Sequence, residues 1–199
     1  YRITKYSMEN TPDSKNSTVR RFCSDELFAQ ELRAESINGS GILISPYHVL
    51  APGHLFDKED DCKKKKFVFN YDGQSNRVPA DYVFHCKSIS FFRHDSSKSH
   101  RAKSFGESPL DGHMDHVIIE LDRPVEGVSP VDLGVKQSPK EKSQLYFYST
   151  NRGMAPQAQF VEVQKSTEAY ATTNASTGQS SSGGVYLSPT GKFMGFHIS

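Results

Sequence analysis

Ser182 stands directly before two glycines in the run Thr177-Gly178-Gln179-Ser180-Ser181-Ser182-Gly183-Gly184-Val185. A serine on a tight glycine turn presents its hydroxyl, and the glycines allow another backbone, such as that of a substrate, to approach closely. A serine hydroxyl becomes a useful nucleophile only when an adjacent base takes its proton. That base in turn needs a carboxylate to hold its tautomer and stabilise its charged form. Two upstream positions fit these roles. His54 follows the bend-forming Ala51-Pro52-Gly53, and Asp115 heads the apolar run Val117-Ile118-Ile119. Taken singly, each has an ordinary reading as a loop serine, a strand histidine or a turn aspartate. Together they make the residue set of a nucleophilic hydrolase. Ser180, in Gly178-Gln179-Ser180, is a second nucleophile candidate that lacks the two following glycines.

The elements that must position these residues read as strands. Residues 41–44 and 47–50, joined by Ser45-Pro46, read as a hairpin leading to His54. Further short runs rich in Val, Ile, Phe and Tyr lie at 66–71, 81–86, 88–92, 116–121, 144–149, 159–164, 168–173, 184–187 and 192–198. Many short strands separated by turn residues favour an all-β barrel or sandwich. A capping serine followed by acids and good helix formers predicts one short helix over 24–32. Residues 1–23 read as a polar arm, with Arg20-Arg21 as a chance dibasic pair. The stretch 57–66, acidic and then basic, reads as a solvated loop, 94–113 as a long exposed loop, and the Pro-bearing 123–142 as a linker.

Bulk properties exclude several classes. A net charge of +1 gives no general attraction to nucleic acid or anionic membranes. No apolar run reaches the roughly 18–20 residues of a membrane span, and the first residues lack a secretory signal, so any such signal has been removed or was never there. There is no His-Glu-x-x-His and no glycine-rich phosphate loop, so neither metal nor nucleotide is expected. Cys23, Cys62 and Cys86 have no zinc-type spacing. They allow one disulfide plus one thiol, or three thiols.

Three separate motifs resemble those of the chymotrypsin-like serine peptidases, and they occur in that family's order. Residues 39–45 with 49–54 resemble the strand pair leading to its catalytic histidine. Residues 115–121 resemble its aspartate and apolar strand, and Ser181-Ser182-Gly183-Gly184 its nucleophile turn. The resemblance spans about residue 36 to the last residue. It implies an all-β fold of two antiparallel six-stranded barrels with the active site between them. Residues 24–122 would form the first barrel, 123–142 the linker and 143–199 the second barrel, which in the family continues past the strand bearing His197. The implied catalytic residues are His54, Asp115 and Ser182, with the backbone N–H groups of Ser180 and Ser182 forming the oxyanion hole. Two residues depart from the family pattern: Ser180 replaces a glycine, and Ser181 replaces the aspartate that pairs with a new N-terminus in trypsin-style activation.

The resemblance also implies a substrate. Ser176 takes the pocket-base position where trypsin-like enzymes place an acid. Thr177 and His197 match the spacing by which staphylococcal-type glutamyl endopeptidases bind a substrate carboxylate. The implied protein is a secreted or periplasmic monomer, with no cofactor, that cuts proteins or peptides after glutamate and less well after aspartate. An inactive relative serving as a binding module and a viral polyprotein peptidase of the same fold are the alternatives.

Overall fold

A computed structural model describes residues 5–6, 33–34, 37–56, 59–72, 77–94, 115–134, 138–150, 154–168, 170–178 and 180–198. The helix expected over 24–32, the arm at 1–23 apart from Lys5–Tyr6, Cys23 and nearly all of the loop at 94–113 lie outside the described residues. The strands are β1 (Lys5–Tyr6), β2 (Arg33–Ala34), β3 (Ile42–Ser45), β4 (His48–Ala51), β5 (Lys66–Val68) and β6 (Val83–His94). They continue as β7 (Asp115–Leu121), β8 (Gln144–Ser149), β9 (Gln157–Ser166), β10 (Ala171–Thr173), β11 (Val185–Leu187) and β12 (Phe193–Phe196).

Beyond a small β1–β2 pair, the strands form two antiparallel five-stranded sheets, ordered β3-β4-β7-β6-β5 and β10-β9-β8-β11-β12. Six strands per barrel are expected from the resemblance; the described residues supply five in each sheet. Among these residues no α-helix occurs, and no helix is long and apolar enough to cross a membrane. Residues 83–86 of the first run and the run at 88–92 are one strand, β6, while Ala80–Tyr82 form a 3₁₀ helix before it. Its register against β7 shifts between Cys86 and Ser88 and again between Ile89 and Phe91. Such bulges interrupt the apolar alternation, which makes one bent strand look like two in sequence.

Alternation builds both cores. In β7, Asp115, Val117, Ile119 and Leu121 share the buried face, and in β8 Leu145, Phe147 and Ser149 do. Val117 and Ile119 pack with Ala51, Phe56, Cys62 and Cys86, and Leu121 packs with Leu43, Val49, Phe84 and Val125. In the second sheet Leu145 and Phe147 meet Val161 and Val163.

The stretch at 57–66 is not simply a solvated loop. Glu59–Lys64 forms a 3₁₀ helix, and its Cys62 is buried and joined by a disulfide to Cys86 on β6 across 24 residues of sequence. Closing a loop of that length stabilises the fold by about 3 kcal/mol in the chain-entropy view. The start of the linker is also held down. Arg123 donates to the carbonyls of Ala80, Asp81 and Val83 and lies over the Phe84 ring, while Val125 N–H donates to Pro46.

Candidate active site

The buried stripe of β7 ends in a charged residue. Asp115 is the first residue of that strand, and the two-residue period aims its carboxylate inward, where its side chain has no solvent exposure. A buried carboxylate is costly unless donors meet it. His54 supplies two. Its backbone N–H donates to Asp115 Oδ1 at 2.7 Å, and its ring Nδ1 lies 2.5 Å from Oδ2. Because β4 pairs with β7 from His48 to Ala51, the chain leaving β4 must pass the head of β7. Pro52 and Gly53 then turn it into the short 3₁₀ helix Gly53–Leu55 that carries His54.

A carboxylate can only accept, so Nδ1 carries the proton of the neutral imidazole and Nε2 offers a lone pair. Ser182 Oγ lies 3.2 Å from that Nε2, where its hydroxyl can donate to the lone pair. The three residues thus form one hydrogen-bonded series from a buried acid to a hydroxyl, within the range at which a base activates a nucleophile.

The Ser182 turn is held from two sides. Ser182 O accepts from Ser40 N–H at 2.7 Å, and Gly183 N–H donates to His197 O at 2.7 Å. Gly183 has a φ of +85°, and a Cβ there would overlap the Ser40 carbonyl oxygen and lie 3.0 Å from Pro52 Cδ. A Cβ on Gly184 would lie 2.6 Å from both Phe147 Cε2 and Ser149 Cβ. The close approach these glycines permit in the folded chain is to Ser40 and Pro52 on one side and Phe147 and Ser149 on the other. Ser181 is fully buried, and Gly178 N–H donates to its Oγ at 3.0 Å. The hydroxyl thus serves the turn itself.

Ser180 adopts a left-handed φ of +72°. For a residue with a Cβ this costs about 1–2 kcal/mol, so something must hold it there. Its carbonyl accepts from Thr150 Oγ1 at 3.2 Å, and Thr150 Oγ1 in turn lies 3.0 Å from Ser40 Oγ, which also accepts from Thr150 N–H. Thr150→Val keeps the shape but orphans this carbonyl. It is expected to lower unfolding free energy by about 1–3 kcal/mol. Thr150→Ser should restore most of that, as read by denaturant titration.

His197 also meets this turn, while Ser176 is anchored on β9. His197 N–H donates to Gly184 O at 2.8 Å, placing His197 against the turn from the end of β12. Ser176 is tied to β9 by a reciprocal pair: its N–H donates to Gln159 Oε1 at 2.9 Å and its carbonyl accepts from Gln159 Nε2 at 2.8 Å. Thr177 connects this anchored residue to Gly178. His197 has its pKa pushed down to about 4, chiefly by burial and secondly by the electrostatic effect of nearby His54. Its imidazole is therefore neutral at neutral pH.

Sequence reading did not find Ser40 and Thr150, which support the turn from the other side, or Tyr186, which touches His197. A strand tyrosine whose half-buried hydroxyl requires a partner is the one signal that could have found Tyr186. Among the described residues no group of three or more His, Cys, Asp or Glu side chains could hold a metal ion.

Solved structures share this architecture. One, the serine endoprotease from Yersinia pestis, superposes with a TM-score of 0.54 at 13% identity, covering 87% of this chain and 50% of that one. The chain thus spans half the length of that relative. A Glu endopeptidase gives a TM-score of 0.52 at 13% identity, covering 85% of this chain and 74% of its own. The fold is the chymotrypsin-like double β-barrel. Human heparin binding protein has the same fold, with a TM-score of 0.58 at 16% identity, covering 80% of this chain and 73% of its own. The chymotrypsin-like fold is thus found under both peptidase and binding-protein names, and function must be argued from the site. No family model and no curated protein sequence matches the chain.

Proposed function

We propose that this chain is a serine endopeptidase that cleaves after glutamate, and less well after aspartate, through an acyl-enzyme. The observation that carries the reading is the hydrogen-bonded series Asp115–His54–Ser182. Ser182 Oγ attacks the scissile carbonyl while His54 Nε2 takes its proton. His54 then gives that proton to the leaving amine, and a water activated by the same nitrogen hydrolyses the ester. Asp115 holds the imidazole and stabilises its charged form. The backbone N–H groups of Ser180 and Ser182 stabilise the oxyanion. Thr177 and His197 donate to the substrate carboxylate, and Ser176 leaves the pocket base without an acid, which disfavours lysine and arginine.

Proteins or peptides are the substrates, and a monomer suffices because every proposed group lies in one chain. The Cys62–Cys86 disulfide favours a secreted or periplasmic setting. A second reading, an inactive binding module, draws on one observation: Ser180 holds a positive φ where a glycine would sit without strain.

The test is labelling of the protein by a fluorophosphonate probe, with the adduct mapped by mass spectrometry, followed by cleavage of a peptide series. An adduct on Ser182 and preference for glutamate are expected. His197→Ala should erase the preference while labelling persists. Absence of labelling favours the binding module, and a preference unchanged in His197→Ala overturns the glutamyl assignment.

A further inference from the structure

A second hydrogen-bonded series ends at His197. Thr173 Oγ1, at the end of β10, is 3.3 Å from the Tyr186 hydroxyl on β11, and that hydroxyl is 3.2 Å from His197 Nδ1. β10 and β11 are separated in the sheet by β9 and β8, so only the curl of the sheet brings Thr173 to Tyr186. The tyrosine ring is fixed by stacking on the fully buried Phe147, at a centroid distance of 4.4 Å and 21° between planes. Phe147 also lies 5.4 Å from the His197 ring, so one core phenylalanine braces both.

Proton counting gives this series a chemical consequence. A neutral imidazole carries one N–H, and the partner of one nitrogen decides where the proton sits. When Thr173 donates to the Tyr186 oxygen, the phenol proton goes to His197 Nδ1, and the imidazole proton is left on Nε2. Burial raises the Tyr186 pKa, so the phenol keeps its proton to donate. Only the Nε2–H tautomer presents a donor to a carboxylate from the edge away from the tyrosine. The opposite tautomer presents a lone pair, which repels a carboxylate but can accept from the amide nitrogen of glutamine.

We infer that Tyr186, backed by Thr173, is a positioning residue that holds His197 as the Nε2–H donor and thereby sets the preference for a carboxylate over its amide isostere. The inference rests on the glutamyl reading of the pocket and adds to it the residues that set the histidine's proton.

Tyr186→Phe removes one oxygen and keeps the stacked ring. Two measurements on the full chain test it. In long-range ¹H–¹⁵N spectra at neutral pH, His197 is expected to be the Nε2–H tautomer and to shift toward the Nδ1–H form in Tyr186→Phe. With paired peptides carrying Glu or Gln before the scissile bond, the variant should lose about tenfold in the Glu-to-Gln ratio of kcat/KM, carried by KM. Thr173→Val should move the ratio the same way and less far, with Thr173→Ser restoring it. An unchanged tautomer in Tyr186→Phe overturns the inference, as does an equal loss on both peptides. If the tautomer shifts in Tyr186→Phe but the wild-type protein shows no labelling at Ser182, the peptidase reading fails while the histidine–tyrosine assignment stands.

Discussion

Replacing Ser182 with alanine is expected to lower kcat on a glutamyl peptide by about a million-fold, leaving a small residual rate over water from binding and the oxyanion donors. The size follows from how the site is wired. Ser182 Oγ is the terminus of the series that begins at the buried Asp115, and without it His54 has no hydroxyl to deprotonate. His54→Ala should cost a comparable factor, and the double variant little more than either single one, because residues acting as a unit are not additive. Steady-state kinetics on the three variants checks this, with thermal melts to confirm folding. A drop confined to ten- or a hundredfold in Ser182→Ala would mean that Ser182 is not the nucleophile.

The largest expected effect on stability comes from the neighbouring residue. Gly183→Ala should lower unfolding free energy by about 4 kcal/mol or more, roughly 8–16 °C in Tm for a chain of this size. Two penalties combine. The φ of +85° is unfavourable for any residue with a Cβ, and the added methyl overlaps the Ser40 carbonyl. Neither neighbour can yield cheaply. Ser40 N–H is bonded to Ser182 O, and Pro52 forms the bend that delivers His54. Gly191 provides the control. Its φ is +80°, but a Cβ there meets nothing within 4 Å, so Gly191→Ala should cost only about 1–2 kcal/mol. Equal melting shifts in the two variants would show that the contact between the sheets carries no energy of its own.

That contrast separates what a residue's own conformation requires from what its neighbours require, and the same division runs through the molecule. The alternation in 115–121 and 144–149 is local and maps directly onto strands, because the pleat turns a two-residue period into an inside and an outside. The irregular register of β6 is not local. Its bulges answer to the partner β7, and so the strand reads as two in sequence. The fate of 57–66 likewise depends on Cys62 meeting Cys86 in space, which three cysteines in a sequence do not specify.

By itself the sequence determined which residues could do chemistry and in what order. Ser182 precedes its glycines, His54 follows a proline and a glycine at a strand end, and Asp115 opens an apolar strand. Side-chain type and short-range turn preference act over a few residues, so they are legible in a linear chain. Only the tertiary structure decided that Nδ1 of His54 reaches a carboxylate 61 residues away and that Thr150 spans 110 residues to Ser40 beneath the Ser180 carbonyl. It also decided that Tyr186 stands between Thr173 and His197. Hydrogen bonds act over about 3 Å, whatever the separation in sequence, and it is the curl and docking of the two sheets that bring such distant groups within that reach.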